Sequence, residues 1–181
     1  AVGRIEPDKA ENFIAKERFD FLAMGRKLLA DPNLPNKLMN NESNRIKPCH
    51  YSYECVSRIF LNGQMVCASD VGLGKKEKEC SIQHLVIIGA GPAGLELAIQ
   101  AAKRKIPVSL YEKESFIGGN LIGAAIIYEP YEKLLNYYQE SIVNEFIDLH
   151  LNSEIDLNKF SNQFKDNQTN SSCDRVFLAN R

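Results

Sequence analysis

Three cysteines lie close together near the middle of this chain: Cys49, Cys55 and Cys67, in the frame C-x2-S-x2-C-x11-C with Ser52 in the second position. Thiolates at such spacing can converge on a soft metal or an iron–sulfur cluster. A serine hydroxyl is a far poorer ligand, because its proton is much harder to remove. The spacing therefore leaves several readings open. They are a cluster with one weak or non-protein ligand, a three-iron cluster, a broken site, three free thiols, or a zinc ion completed by a histidine. His50 is the nearest histidine, but it directly follows Cys49, which makes joint coordination awkward. Cys80 and Cys173 lack partners at metal spacing and read as ordinary small side chains.

A second set of residues carries a different chemistry. The run His84-Leu-Val-Ile-Ile-Gly89-Ala90-Gly91-Pro92-Ala93-Gly94 puts three glycines in the spacing G-x-G-x-x-G directly after a short apolar run. A helix-favouring stretch, Leu95 to Lys105, follows, and then a second apolar run, Ile106 to Tyr111, that stops at Glu112. Strand, tight turn, helix and strand with an acid at its tip is the order in which a dinucleotide is held. Gly89 turns the chain, Gly91 lets backbone approach a pyrophosphate, and Gly94 lets helix pack on strand. The helix start, at Pro92 and Ala93, offers amides and partial positive charge to phosphates. Glu112, about 20 residues on, can accept both hydroxyls of an adenosine ribose, which favours FAD or NAD over NADP.

The elements that must position these residues fall into three stretches. Residues 1–40 read as the end of a strand (Ala1–Ile5), a helix from Pro7, a short strand over Phe19–Met24, and helical turns at Lys27–Ala30 and Asn33–Met39. Residues 41–80 are polar, cysteine-bearing and poor in periodicity, and read as a loop segment that folds with outside help. Residues 81–181 form the dinucleotide domain. In it, Pro130–Phe146 has helical spacing, Ile147–Leu151 is a strand candidate, 152–172 is a hydrophilic excursion, and Asp174 onward begins another strand. Both ends look cut through structure, and the expectation is a piece of a longer polypeptide.

Composition narrows the class. The chain has 181 residues, 22 basic and 23 acidic, for a net charge of -1. That balance gives no bulk attraction to nucleic acid or to an anionic membrane. No apolar run approaches the roughly 18 residues of a membrane span, and no signal peptide is visible. Five cysteines, an odd number with three of them clustered, argue against a secreted disulfide framework and for a cytoplasmic location.

Taken in sequence order, these signatures resemble the multi-cofactor NADH:flavin oxidoreductases of the old yellow enzyme superfamily. That group includes 2,4-dienoyl-CoA reductase, trimethylamine dehydrogenase and the enoate reductases. The resemblance thins after about residue 155. It implies an α/β protein: the last two β/α units of a TIM barrel over 1–40, a cluster segment over 41–80, and a Rossmann-like FAD/NAD-binding β-α-β domain over 81–181. It implies that Gly3, Arg4, Gly25 and Arg26, at the ends of barrel strands seven and eight, hold an FMN phosphate, as loops after those strands commonly do. Cys49, Cys55 and Cys67 match the ligands of a [4Fe-4S] cluster, whereas Ser52 stands where relatives have cysteine. Gly89, Gly91, Pro92, Ala93, Gly94, Glu112 and Lys113 match the FAD fingerprint, with Gly118-Gly119-Asn120 as the second glycine pair near the flavin. Ala179-Asn180-Arg181 departs from the usual Ala-Thr-Gly.

The implied activity passes electrons from NAD(P)H through FAD, cluster and FMN to an unsaturated small molecule of enoate or dienoyl-CoA type. No catalytic residue is assigned within the chain: His50, His84 and His150 lack the context of a proton donor, and the chain alone is expected to turn over nothing. The alternatives are an FAD- and cluster-carrying electron-transfer module serving a partner, or an inactive remnant. Substrate identity, NADH or NADPH preference and oligomeric state are not written in these residues.

Overall fold

The structure, a computed structural model, describes residues 3–75 and 82–156 together with the backbone of 174–178. Val2, Cys80, Cys173, most of the 152–172 excursion and the terminal Ala179-Asn180-Arg181 lie outside the described residues. The chain divides into two compact units, Ala1–Lys76 and Glu77–Arg181.

The second unit is built on a parallel sheet. Strands β1 (His84–Ile88), β2 (Val108–Tyr111), β3 (Ile147–His150) and β4 (Asp174–Leu178) lie in the order β3-β2-β1-β4. β1 pairs β2 with Leu85 opposite Val108 and Ile88 opposite Tyr111, and β2 pairs β3 with Tyr111 opposite His150. On its other side β1 pairs β4, with His84 opposite Asp174. The chain crosses from β1 to β2 through a helix, as parallel strands require. The three middle residues of β1, Leu85, Val86 and Ile87, are all buried, the pattern of a strand covered on both faces.

The crossover helix, α5, runs Pro92–Lys103 after the shorter helices of the first unit, and it buries Leu95, Ala98, Ile99, Ala101 and Ala102. Leu134, Tyr137 and Tyr138 of α7 (Glu129–Ser141) share one core with them and with the strands. Pro130 sits in the first turn of α7, where its missing N–H leaves no bond unmade. Between them lies a helix the sequence reading left out, α6 (Asn120–Ile127). Its sequence, NLIGAAII, is apolar nearly all round, so it carries almost no amphipathic signal, and only Leu121 is buried. It packs on α7.

The first unit is helical. It contains α1 (Pro7–Ala15), α2 (Arg26–Ala30), α3 (Leu34–Met39), a 3-10 turn (Ser43–Arg45) and α4 (Glu54–Phe60). The strand expected over Phe19–Met24 is not formed; the segment is extended with a single bridge residue at Ala23, and Gly3 and Arg4 lie in a bend. Strands are stabilised by their lateral neighbours, and this unit has no sheet among the described residues. Phe21 is accordingly 84% exposed. α4 was also unforeseen, because Glu54–Phe60 is too short for a periodic pattern; it is braced by Arg58 on Glu54 at 2.9 Å.

Buried ionic contacts fix the segment leading to the cysteines. The Asp31 carboxylate, 5% exposed, accepts from Lys37 Nζ at 2.6 Å and from the backbone N–H groups of Asn33 and Lys47 at 3.1 and 2.8 Å. Lys27 Nζ meets Glu6 at 2.7 Å, and the Tyr51 hydroxyl donates to Glu6 at 3.3 Å.

Candidate functional site

The glycine loop of the second unit leaves the C-terminal end of β1. That end is the switch point of the sheet, with β2 on one side and β4 on the other, where open parallel sheets bind ligands. Gly89 has φ 104, a conformation that suits glycine, and its N–H donates to Tyr111 O at 2.7 Å. Gly91 is the N-cap of α5, and a Cβ there would meet nothing within 4 Å. Space is therefore open above the backbone where a phosphate would approach. No side chain caps the first turn of α5, so the early amides are left to a ligand or to water. Pro92 supplies no N–H, which puts the presenting role on Ala93 and Gly94; Gly94 is buried against the sheet.

Glu112 sits where β2 ends. Its Oε2 accepts from Ala90 N–H at 2.7 Å and its Oε1 from Glu114 N–H at 3.1 Å, which holds the carboxylate beside the loop. Lys113 is exposed and lies 3.8 Å from Glu114. The second glycine pair is brought onto the same loop: Gly118 N–H donates to Ala90 O at 2.8 Å, and a Cβ on Gly119 would come to 3.4 Å of Gly91 Cα. Asn120 opens α6 directly after it. Open backbone, uncapped helix amides and a positioned carboxylate fit a dinucleotide.

The three thiols form a separate site in the first unit. Cys49, Cys55 and Cys67 line one small pocket, with Ser52 and Arg26 also on its wall. Cys55 lies on α4, and the other two lie on irregular backbone. Burial pushes the Cys49 thiol up, and the neighbouring Cys67 and Cys55 add to the rise; the Tyr51 backbone and Arg26 act the other way. Among the described residues, no group of three or more His, Cys, Asp or Glu is set to hold a metal ion. A single zinc needs every sulfur at about 2.3 Å from one centre. Three thiols on one pocket wall are the soft donors that a zinc ion or an iron–sulfur cluster takes.

His50 also lines the pocket. Its Nδ1 lies 2.9 Å from Ser69 Oγ, and that hydroxyl also sits 2.9 Å from Pro48 O. Pro48 O can only accept, so the serine proton points there and Nδ1 carries the ring proton. Burial first and Lys47 second keep the ring toward its neutral form.

The arginines expected at a phosphate are brought together, with partners the sequence reading missed. The Arg4 guanidinium stacks over Tyr51 at 4.6 Å and Tyr53 at 5.4 Å, and it donates to the Tyr53 hydroxyl. Arg26 stacks over Tyr53 at 4.7 Å and Tyr51 at 5.2 Å. Hydrogen bonds from Arg4 first and Arg26 second push the Tyr53 phenol down. Arg26 Nη1 is nonetheless buried with no hydrogen-bond partner, an orphaned cationic donor of the kind that awaits an anion. Cβ atoms on Gly3 and Gly25 would meet nothing within 4 Å, so the backbone at both is open to approach. The signal available for Tyr51 and Tyr53 was their placement on either side of Ser52.

The family profile for pyridine nucleotide-disulphide oxidoreductases matches residues 62–180. Over 124 residues, 64% of this chain, it is 40% identical to NADH oxidase of Thermoanaerobacter brockii. Over 98% of this chain it is 31% identical to cinnamate reductase of Clostridium sporogenes. It spans 19% and 27% of the lengths of those two proteins. The structure of 6-hydroxypseudooxynicotine amine oxidase from Pseudomonas geniculata N1 matches 98% of this chain with a TM-score of 0.81 at 23% identity, covering 28% of that chain, a likeness of fold.

Proposed function

The chain belongs to the pyridine nucleotide-disulphide oxidoreductases, among the flavin oxidoreductases of the old yellow enzyme type, and from that premise we propose that it is the electron-input portion of an NAD(P)H-driven reductase. The substrate class is a small unsaturated molecule, of enoate or dienoyl-CoA type, in keeping with the cinnamate reductase likeness. The observation that carries the reading is the open, uncapped start of α5 beside the Glu112 carboxylate.

Each residue then has a task. The amides at Gly91, Ala93 and Gly94 hold the diphosphate of FAD, Glu112 accepts from the adenosine ribose, and Gly119 and Asn120 border the flavin side, with Lys113 at the rim. Cys49, Cys55 and Cys67 hold an iron–sulfur cluster. Arg4 and Arg26, with the backbone at Gly3 and Gly25, hold the phosphate of FMN, and the two tyrosine rings keep the guanidiniums flat and oriented. Residues 1–40 are, in this reading, the closing units of the FMN barrel, 41–80 the cluster segment and 81–181 the start of the FAD domain. When bound, these groups supply the hydride and single-electron chemistry, which side chains alone lack.

The test is direct. Protein prepared without oxygen should bind FAD and hold iron and acid-labile sulfide. Binding of neither would refute the reading. NADH oxidation with an artificial acceptor then separates an electron-transfer module, which turns over, from a part that needs the rest of its protein, which does not.

A further inference from the structure

Tyr51 and Tyr53 flank Ser52 on the loop between Cys49 and Cys55, and each is engaged on two sides. Toward the thiols the contacts are made by backbone. The Tyr51 backbone hydrogen-bonds the Cys49 sulfur. The Tyr53 carbonyl accepts from the N–H groups of Val56 and Ser57, both at 3.0 Å, and so starts α4, the helix that carries Cys55. Toward the arginines the contacts are made by the rings. Arg4 lies over Tyr51 at 4.6 Å and Arg26 over Tyr53 at 4.7 Å, Arg4 donates to the Tyr53 hydroxyl, and the Tyr51 hydroxyl donates to Glu6. Both tyrosines have positive φ, 56 and 61, a conformation that residues with a Cβ disfavour. Contacts elsewhere must hold such a loop, and the rings supply them. Arg26 Nη1 is the loose end of the stack, a buried donor with no hydrogen-bond partner.

We propose that Tyr51 and Tyr53 are positioning residues that couple the two sites: a phosphate monoester bound at Arg4 and Arg26 locks their rings, and through their backbones it holds Cys49 and the start of α4 in place. The inference rests on the phosphate reading given above and needs nothing bound at the thiols. A phosphate accepts two parallel hydrogen bonds from a guanidinium, which fixes the guanidinium plane. A fixed plane fixes the ring stacked against it. Coupling of this kind is reciprocal, so a change at the thiols must weaken phosphate binding by the same factor. The signal is carried by side-chain packing, with no covalent bond made or broken.

The experiment uses the full chain, reduced and metal-free, with FMN as the probe and riboflavin, which lacks the phosphate, as the control. FMN binding is followed by quenching of its fluorescence, and iodoacetamide labelling of each cysteine is timed by mass spectrometry. At saturating FMN, labelling of Cys49 and Cys55 should slow by about fivefold or more, the low end of ordinary coupling between sites. Riboflavin should leave both rates unchanged. Tyr51→Leu should lose the slowing at Cys49, and Tyr53→Leu should lose it at Cys55. Tyr51→Phe and Tyr53→Phe keep the rings and should retain it. In the reverse direction, wild type labelled beforehand should bind FMN about fivefold or more weakly, a measurement that requires no variant to fold. FMN that binds wild type without slowing either thiol would overturn the coupling. So would slowing that persists in the leucine variants, since the ligand would then shield the sulfurs directly. Wild type that binds FMN no better than riboflavin would instead remove the phosphate reading, and this inference with it.

Discussion

At the scale of single residues, a few polar groups decide behaviour that hydrophobic packing does not. Glu96 is buried in α5, where it accepts from Tyr138 at 3.2 Å and from Gln100 at 2.8 Å. Burial first, and Glu96 second, push the Tyr138 phenol above its ordinary value of 10.0. A group whose pKa is raised on folding contributes stability that is fully present below the unfolded value and lost as pH rises toward the folded one. The Tyr138 contribution should therefore be constant through neutral pH and decline from about pH 10 upward. Tyr138→Phe should lessen that alkaline decline, and at pH 7 should lower stability by about 1–2 kcal/mol through loss of a donor to a buried carboxylate, measured by urea unfolding across pH. Glu112→Gln tests the ribose contact. It keeps the shape beside Ala90 N–H but removes the charge, and FAD affinity should fall about 10–100-fold by fluorescence titration.

At the scale of elements, the glycines separate ligand space from folding space. Gly91 has open surroundings and a φ of -75, so Gly91→Ala should leave unfolding free energy within about 0.5 kcal/mol of wild type. FAD affinity should nonetheless drop about tenfold or more, because the methyl enters the approach of the diphosphate. Gly118 is the opposite case. Its φ is +110, and a Cβ would fall 2.7 Å from Leu135 Cδ1, so Gly118→Ala should destabilise by about 1–3 kcal/mol by thermal or chemical unfolding. If both variants behaved alike, the distinction between the two loops would be lost. Elements with a clear period were legible in advance: β1, α5, β2 and β3 lie where apolar spacing put them, and α7 does so up to Ser141, short of the expected Phe146. α4 and α6 were not, since one is too short for a period and the other is apolar on nearly every side.

At the scale of the whole molecule, the two units should respond differently to ligand. FAD at about a hundred times its dissociation constant should stabilise the unit that binds it by about 2.7 kcal/mol. Hydrogen exchange read peptide by peptide should show that protection within Glu77–Arg181 and not within Ala1–Lys76; equal protection in both would count against separate sites. The core helps explain the expected location of the effect. It joins β1, β2, α5 and α7 through residues such as Ile87, Leu95, Leu110 and Tyr137, so a ligand on the loop leaving β1 acts on the same cooperative unit.

What the residues alone determined was local chemistry: glycine spacing, an acid about 20 positions on, and thiols at cluster spacing, because those depend on short-range backbone geometry and side-chain type. The strand expected at Phe19–Met24 failed for the complementary reason, since a strand exists only through neighbours brought from elsewhere. Only the tertiary structure placed Gly118 and Gly119 against the first glycine loop, set Tyr51 and Tyr53 on Arg4 and Arg26, and left Arg26 Nη1 buried on the wall of the cysteine pocket. Those contacts join residues far apart along the chain, and their pairing is settled by packing, which spacing in one sequence does not encode.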